Sequence, residues 1–332
     1  VIVFSSNKTG NTNLWMVPVA GGPPQQITNG SGPDIGITMS SDGRRLVYLE
    51  QKTISNVWIA NTDGTSARQL TLDDRSIRSA SLSPDGKQIA FVMGDVDPLK
   101  PSRHLFVQHR NGEQRRQITV GDIWVRAPRW SPDGRTIAFS MSTVTDWWGD
   151  SANVCIVEPK NSGMPRPITY GLSARWLSSN SLVATRSNYV SSEMVTLQGG
   201  PSRKFFEDST NAFSVITGKK ILYEEKHKGK EGEWWIISAD YASNAAKSRA
   251  KRLFAQGEIR GADVTTNFLY YWSLRGELWR LNLSTESKER LKGPFPGLEA
   301  GAQIFVRDDD KEFLYIPFKL SGKLVLIENL FQ

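Results

Sequence analysis

Short apolar runs recur along this chain, and a group of turn-forming residues precedes each of them. Ile89–Phe91 follows the phrase Ser-Pro-Asp-Gly, and Ile137–Phe139 follows the same phrase 48 residues further on. Leu46–Tyr48 follows a degenerate copy, Ser-Ser-Asp-Gly. Proline presets φ in a tight turn, aspartate can bond its own backbone, and glycine supplies a left-handed residue. The pattern therefore predicts repeated turn-and-strand units built from β-prone residues.

A second apolar strand lies between each of these runs and the next turn. Asn56–Ala60 precedes an Asp-Gly pair and His104–Val107 precedes an Asn-Gly pair, and both dipeptides favour tight hairpin turns. The phrase repeats after 43 residues from Asp42 to Asp85 and after 48 residues from Asp85 to Asp133. Four short strands in a repeat of about 40–50 residues are typical of a propeller blade. We therefore predict an all-β protein, a β-propeller of four-stranded blades.

The number of blades follows from the central two strands of each unit, which can be traced eight times. Innermost and outermost strands can be placed only seven times. The sequence predicts an eight-bladed ring with an incomplete first blade, and a seven-bladed ring whose ends complete one blade is the alternative. Residues 1–332 are expected to form one propeller domain, a fragment of a longer chain. The traced pairs are 1–18, 46–60, 89–108, 137–157, 182–197, 221–238, 268–282 and 313–327.

Charge and composition exclude some classes of function. The net charge is +7, from 41 basic and 34 acidic residues. Acidic residues interrupt the densest basic stretch, 219–230, whereas a nucleic-acid site concentrates basic residues on one face. No nucleic acid is therefore expected to bind this domain. No segment has the run of about 20 apolar residues that spans a bilayer. The single cysteine, Cys155, lies in an apolar strand and is expected to be buried.

Motifs of catalysis and cofactor binding are missing from the sequence. It contains no Gly-x-Ser-x-Gly nucleophile turn, no His-Glu-x-x-His metal helix and no glycine-rich phosphate loop. The three histidines are scattered, and the acidic run Asp308–Asp310 lacks the further ligands of a calcium loop. The chain is therefore predicted to be non-enzymatic, without catalytic residues, metal ligands or a cofactor.

The candidate binding site lies on enlarged loops. The loops 93–103, 141–152 and 225–233 join central strands and emerge on one face of a propeller, and the connection 120–126 reaches the same face. Tryptophan and arginine are enriched at binding hot spots because they bury large areas and still make directional bonds. A protein or peptide partner is expected on this face. The candidate residues are Trp124, Arg126, Asp146, Trp147, Trp148, Asp150 and His227.

The repeated phrase carries a family resemblance. Ser-Pro-Asp-Gly-[Lys/Arg]-x-Ile-Ala-Phe, the intermediate segment 13–22 and the closing Gln-Ile-Thr resemble the TolB-type, WD40-like β-propeller repeat, also called PD40. The ending Leu324–Phe331 is similar to the last strand of propellers in bacterial CadC-like winged-helix regulators and membrane serine/threonine kinases. That resemblance implies a sensor or interaction domain outside the cytoplasm, tethered to a membrane through a missing N-terminal region.

Two alternatives to this sensor module stay open. The same repeat forms the substrate-gating propeller of prolyl-oligopeptidase-like serine peptidases, which implies a hydrolase domain elsewhere in the protein. It also forms TolB-like periplasmic scaffolds. The location is expected to be extracytoplasmic, and a cytoplasmic location is the alternative.

Overall fold

The computed structural model contains thirty strands and no helix in the part of the chain that it describes. Among those residues, no helix is long and apolar enough to cross a membrane. The structure describes all residues except 10, 31–32, 74, 95–101, 144–150, 161–163, 187–191, 200, 207–214, 218–219, 226–232, 239–250, 255–258, 294, 297, 299–302, 308, 318 and 330–332.

Six blades of four antiparallel strands make up most of the described chain. Five of them use consecutive strands: β8 (Ile77–Leu82), β9 (Gln88–Gly94), β10 (Arg103–His109) and β11 (Arg116–Gln117); β12 (Ile123–Trp130), β13 (Ile137–Thr143), β14 (Asn153–Val157) and β15 (Arg166–Tyr170); β16 (Ser173–Ser178), β17 (Ser181–Thr185), β18 (Ser192–Thr196) and β19 (Arg203–Phe206); β20 (Val215–Thr217), β21 (Lys220–Glu225), β22 (Glu233–Ser238) and β23 (Lys251–Phe254); β24 (Ile259–Val264), β25 (Phe268–Ser273), β26 (Leu278–Asn282) and β27 (Lys288–Arg290).

The sixth blade joins the two ends of the ring, and we call it the closing blade. Its strands are β28 (Gln303–Val306), β29 (Glu312–Ile316), β6 (Trp58–Asn61) and β7 (Arg68–Gln69), in this order. The innermost strands β8, β12, β16, β20, β24 and β28 contact one another in sequence, and β28 contacts β8. The described strands therefore form a closed six-bladed ring, in place of the eight or seven blades that the sequence predicted.

Two three-stranded sheets lie outside this ring, and we call them the outer pair. One contains β1 (Ile2–Thr9), β2 (Asn11–Val17) and β3 (Gln25–Gln26), and the other contains β4 (Asp34–Met39), β5 (Arg45–Ile54) and β30 (Lys319–Glu328). β4 contacts β1 and β2, as β12 contacts β9 and β10 in the ring. The two outer sheets are thus arranged like neighbouring blades.

Two predicted strand pairings are wrong. The sequence suggested that 46–60 and 313–327 each form one pair of central strands. Instead β5 pairs with β30 over ten positions, from Arg45–Glu328 to Ile54–Lys319. β6 pairs with β29, with Trp58 opposite Tyr315. All four strands are apolar and β-prone, so the local pattern fits either pairing. Because β6 pairs with β29 and not with β5, the closing blade forms from the two ends of the ring.

The repeated turn is confirmed in its details. The glycines Gly43, Gly86 and Gly134 have φ of 69°, 71° and 68°, which only glycine adopts without strain. The serine hydroxyl donates to the aspartate carboxylate two residues later, at 2.6 Å for both Ser83–Asp85 and Ser131–Asp133. The serine Oγ also accepts the backbone N–H of the residue just before each apolar run, Gln88 for Ser83 and Thr136 for Ser131.

The closing Gln-Ile-Thr signature also has a structural role. The threonine hydroxyl of three copies accepts a backbone N–H in or just before the strand that pairs with the outermost strand. The distances are 2.9 Å for Leu14–Thr28, 3.0 Å for Val57–Thr71 and 3.0 Å for Leu105–Thr119. The first of these bonds belongs to the outer pair. The sheet β1–β3 therefore has the internal bonding of a ring blade.

Apolar clusters between neighbouring blades form the core. Leu314 and Ile59 of the closing blade pack with Phe91 of the next blade, and all are at most 2% exposed. Cys155 is buried in the cluster between the first two consecutive blades, where desolvation raises the pKa of its thiol to about 11. The expectation of a buried cysteine is confirmed. The outer pair has a separate small core around Leu14, Leu46 and Tyr48.

The turn carboxylates predict how stability depends on pH. The hydroxyl of Ser83 holds the pKa of Asp85 below its usual 3.8, with help from the Lys87 N–H and against the effect of burial. A carboxylate whose pKa is lower in the folded chain stabilises the fold above the unfolded pKa, and that contribution disappears as the pH falls through the folded pKa. Ser83→Ala should therefore cost more stability at pH 7 than at pH 2.5.

The difference should be at most about 1 kcal/mol because Asp85 is exposed and water screens it. Urea unfolding of the parent and the variant at both pH values measures it. An equal loss at pH 7 and pH 2.5 would show that only the uncharged bond from Gln88 N–H to Ser83 Oγ matters.

Candidate functional site in the central channel

The innermost strands place one side chain each at an equivalent position, two residues before the turn. The equivalence follows from the bond that closes each turn, for example Ser131 N–H to Thr136 O and Thr265 N–H to Phe268 O. We call this set the lower tier, because it lies at the turn end of the central channel. Its described members are Ser81 on β8, Arg129 on β12, Arg175 on β16, Asp263 on β24 and Phe305 on β28.

Side chains of the lower tier contact one another across the channel. The Arg129 guanidinium stacks on the Phe305 ring, 4.5 Å from its centroid, and Nη1 donates to the carbonyl of Pro128 at 2.9 Å. Asp263 accepts the N–H of Val306 on the neighbouring blade at 2.9 Å. The lower tier therefore ties β12 to β28 and β24 to β28 around a shared space.

Two arginines and one aspartate set the charge of this space. Desolvation lowers the pKa of Arg129, and the charge of Arg175 adds to that effect. Burial raises the pKa of Asp263, and the two guanidinium groups oppose the rise. The Nε and Nη1 atoms of Arg175 are buried and have no hydrogen-bond partner among the described residues.

A second basic group, the upper cluster, lies at the other end of the same strands. It consists of Arg78, Arg103, Trp124 and Arg126. The Arg103 guanidinium lies 4.0 Å from the centroid of the Trp124 ring, and that of Arg126 lies 5.3 Å from it. Burial lowers the pKa of Arg103 to about 10, with further contributions from the charges of Arg78 and Arg126. Two guanidinium groups therefore lie against one tryptophan, and the charge of a third acts on one of them.

The structure brings two of the predicted site residues together. Trp124 and Arg126 both belong to the upper cluster, and a parallel bridge from Arg103 to Trp124 joins two blades there. Asp146, Trp147, Trp148, Asp150 and His227 lie outside the described residues. In the described part of the chain, no group of His, Cys, Asp or Glu side chains could hold a metal ion.

Sequence reasoning missed Arg78, Arg103 and the lower tier. A signal was present, because Arg78 and Arg126 both stand five residues before the serine of their turns. Aligning the repeats on the turn, and not on the loops, places these two arginines at the same position. Each of them alone looked like an ordinary strand arginine, so its partners appear only when the ring closes.

The repeat has a known counterpart. Residues 1–141 match the family model described as the TolB beta propeller domain. Residues 1–141 are therefore similar to the TolB-type β-propeller domain. The match runs from β1 to β12 and into β13, so it includes the turn phrase and its three glycines.

Solved structures extend the likeness in fold to residues beyond 141. A TolB from Agrobacterium tumefaciens matches with a TM-score of 0.60 and 15% identity, over 81% of this chain and 99% of that one. A puromycin-hydrolyzing peptidase from Mycobacterium tuberculosis matches with a TM-score of 0.53 and 13% identity, over 90% of this chain. The chain spans 53% of that peptidase. No curated protein matches. At these identities the likeness concerns the fold.

Proposed function

We propose that this TolB-type propeller is a non-enzymatic binding module of a bacterial signalling or regulatory protein, placed outside the cytoplasm. Its partner is a protein or peptide segment that presents acidic side chains to the upper cluster. The observation that carries the proposal is the pair Arg103 and Arg126 on the Trp124 ring, with the charge of Arg78 acting on Arg103.

The chemistry of the upper cluster favours an acidic partner. Like charges held close together and partly desolvated repel, so an incoming carboxylate relieves repulsion as well as forming charge-assisted bonds. Trp124 adds a flat apolar surface of the kind found at binding hot spots, and it is only partly buried. Stacking on that ring also holds the Arg103 guanidinium in place, which reduces the entropy lost on binding.

A second candidate function is the substrate-gating propeller of a serine peptidase. The likeness to the Mycobacterium tuberculosis peptidase, of which the chain spans about half, supports this alternative. The natural gene sequence beyond Gln332 distinguishes the two. A segment there with a Gly-x-Ser-x-Gly motif would favour the gating function, and an upstream kinase or winged-helix module would favour the sensor.

The binding proposal can be tested with a fluorescein-labelled octaglutamate peptide as the probe. The double variant Arg103→Gln, Arg126→Gln should weaken binding by about tenfold or more, because charge-assisted contacts to partly buried arginines are lost. Fluorescence anisotropy at 50 mM and 200 mM salt measures the affinity, and the parent should lose affinity with salt.

The matched control combines Lys87→Gln with Arg135→Gln, which removes the same two positive charges from exposed turns after β8 and β12, at the opposite end of these strands. It should leave the affinity unchanged. If this control weakens binding as much as the double variant does, the attraction is a property of the net charge and the proposed site is wrong. Near-ultraviolet circular dichroism checks that the double variant is folded.

A further inference from the structure

The lower tier of the channel has an unbalanced charge and unused hydrogen-bond donors. Arg129 and Arg175 face one carboxylate, that of Asp263. One backbone N–H donates to each oxygen of Asp263, from Val306 at 2.9 Å and from Val264 at 3.2 Å. Two guanidinium groups share this one carboxylate, so one positive charge of the lower tier stays without a matching negative charge among its described members.

Arg175 is the group that this arrangement leaves with unused donors for a ligand. Its Nε and Nη1 atoms are buried without an acceptor among the described residues. Buried polar groups in proteins nearly always have partners, and an unpaired buried donor is costly, especially on a charged group. Arg129, in contrast, is held by Phe305 and by the carbonyl of Pro128. A ligand that accepts from Arg175 would remove this cost.

We propose that the lower tier binds a carboxylate group that carries a single negative charge. Arg175 donates to its oxygens, Arg129 supplies the second positive charge, and Phe305 and Ser81 line the same level of the channel. A single charge matches the excess of one guanidinium. A dianion such as hydrogen phosphate fits less well, because its second charge would lie near Asp263 in a space with little solvent screening.

This site is separate from the partner surface proposed above. The upper cluster lies where β12 begins, at Trp124, and the lower tier lies where β12 ends, next to Trp130. Binding at one can therefore fail while binding at the other holds. The carboxylate can belong to a free small acid or to the C-terminus of a peptide that enters the channel, and the probes below separate these sources.

Thermal unfolding with added ligand tests the proposal. Sodium acetate, N-acetyl-triglycine, its C-terminal amide and sodium phosphate are compared with sodium chloride at equal ionic strength. Acetate should raise the melting temperature saturably, because a ligand that binds only the folded chain stabilises it by mass action. If N-acetyl-triglycine raises the melting temperature at a lower concentration than acetate does, the natural ligand is a peptide C-terminus. If acetate raises it at the same or a lower concentration, the natural ligand is a small acid. The amide should have no effect.

Two variants and a control locate the site. Arg175→Gln should weaken acetate binding about tenfold or more, whereas Arg135→Gln should not change it. Asp263→Asn removes the competing carboxylate and should tighten binding at least about threefold, which keeps the test decisive if Arg175→Gln does not fold. A saturable shift that no variant changes, equal shifts with chloride and acetate, or no shift at all would overturn the proposal.

Discussion

Replacing Leu314 by alanine should lower the free energy of unfolding by about 2–5 kcal/mol, the usual cost of a buried leucine truncation that leaves a cavity. Leu314 is fully buried in β29 and lies opposite Ile59 of β6. It packs in the apolar cluster between the closing blade and the blade of β8, with Phe91. Loss of this side chain therefore weakens the blade that joins both ends of the ring. Urea unfolding measures the change in the free energy of unfolding.

Leu72→Ala is the matched control for this prediction. Leu72 is 86% exposed, so the same chemical change should alter stability by no more than about 0.5 kcal/mol. Hydrogen exchange adds a second test, because β6 and β29 should exchange faster in Leu314→Ala. Equal stability of the two variants would mean that the closing blade does not limit the stability of the ring.

The ring should also fold without the outer pair. Residues 55–317 contain every described strand of the six blades, including both sides of the pairing between β6 and β29. The outer pair has its own core around Leu14, Leu46 and Tyr48. The piece 55–317 is therefore expected to unfold cooperatively, with a melting temperature within about 5 °C of the whole chain.

A second piece makes this comparison specific. Residues 62–332 retain β30 but lack β6, so β29 loses its partner and the ring has an open seam. This piece should melt at least about 10 °C lower or show no cooperative transition. If 62–332 were as stable as 55–317, the closing blade would not be the element that completes the ring.

Much of the fold could be predicted from the sequence because its signals are local. The turn phrase requires glycine at positive φ, and Gly86 and Gly134 have it. The alternation of apolar runs and turns marks strands, and the all-β propeller with TolB-type repeats is confirmed. The prediction of blade number failed because it depends on which strand pairs with which.

Strand partners could not be read because β5, β6, β29 and β30 carry the same kind of pattern. An apolar, β-prone pattern indicates that a segment forms a strand. It does not identify the partner strand, which here lies far away in the sequence. β6 and β29 are joined only when the ring closes. The lower tier could not be predicted for the same reason. Arg129, Arg175 and Asp263 are distant in sequence, and none of them belongs to a local motif.

The candidate site was predicted in part. Trp124 and Arg126 followed from the enrichment of these residue types at interfaces, and the structure places both in the upper cluster. Arg103 was not recognised because it ends an enlarged loop, where a lone arginine suggests a solvated side chain. Its contact with Trp124 depends on the parallel bridge between two blades.

The exchange of strands between the closing blade and the outer pair has a mechanical consequence. The chain enters the ring just before β6 and leaves it just after β29, and Trp58 lies opposite Tyr315 at that end of the pair. A pull on the outer pair would load β6 and β29 from the same end, so the two strands would slide together and would not be peeled apart. Tension applied there would act on the closing blade as a unit, and the bonds between β6 and β29 would carry little shear.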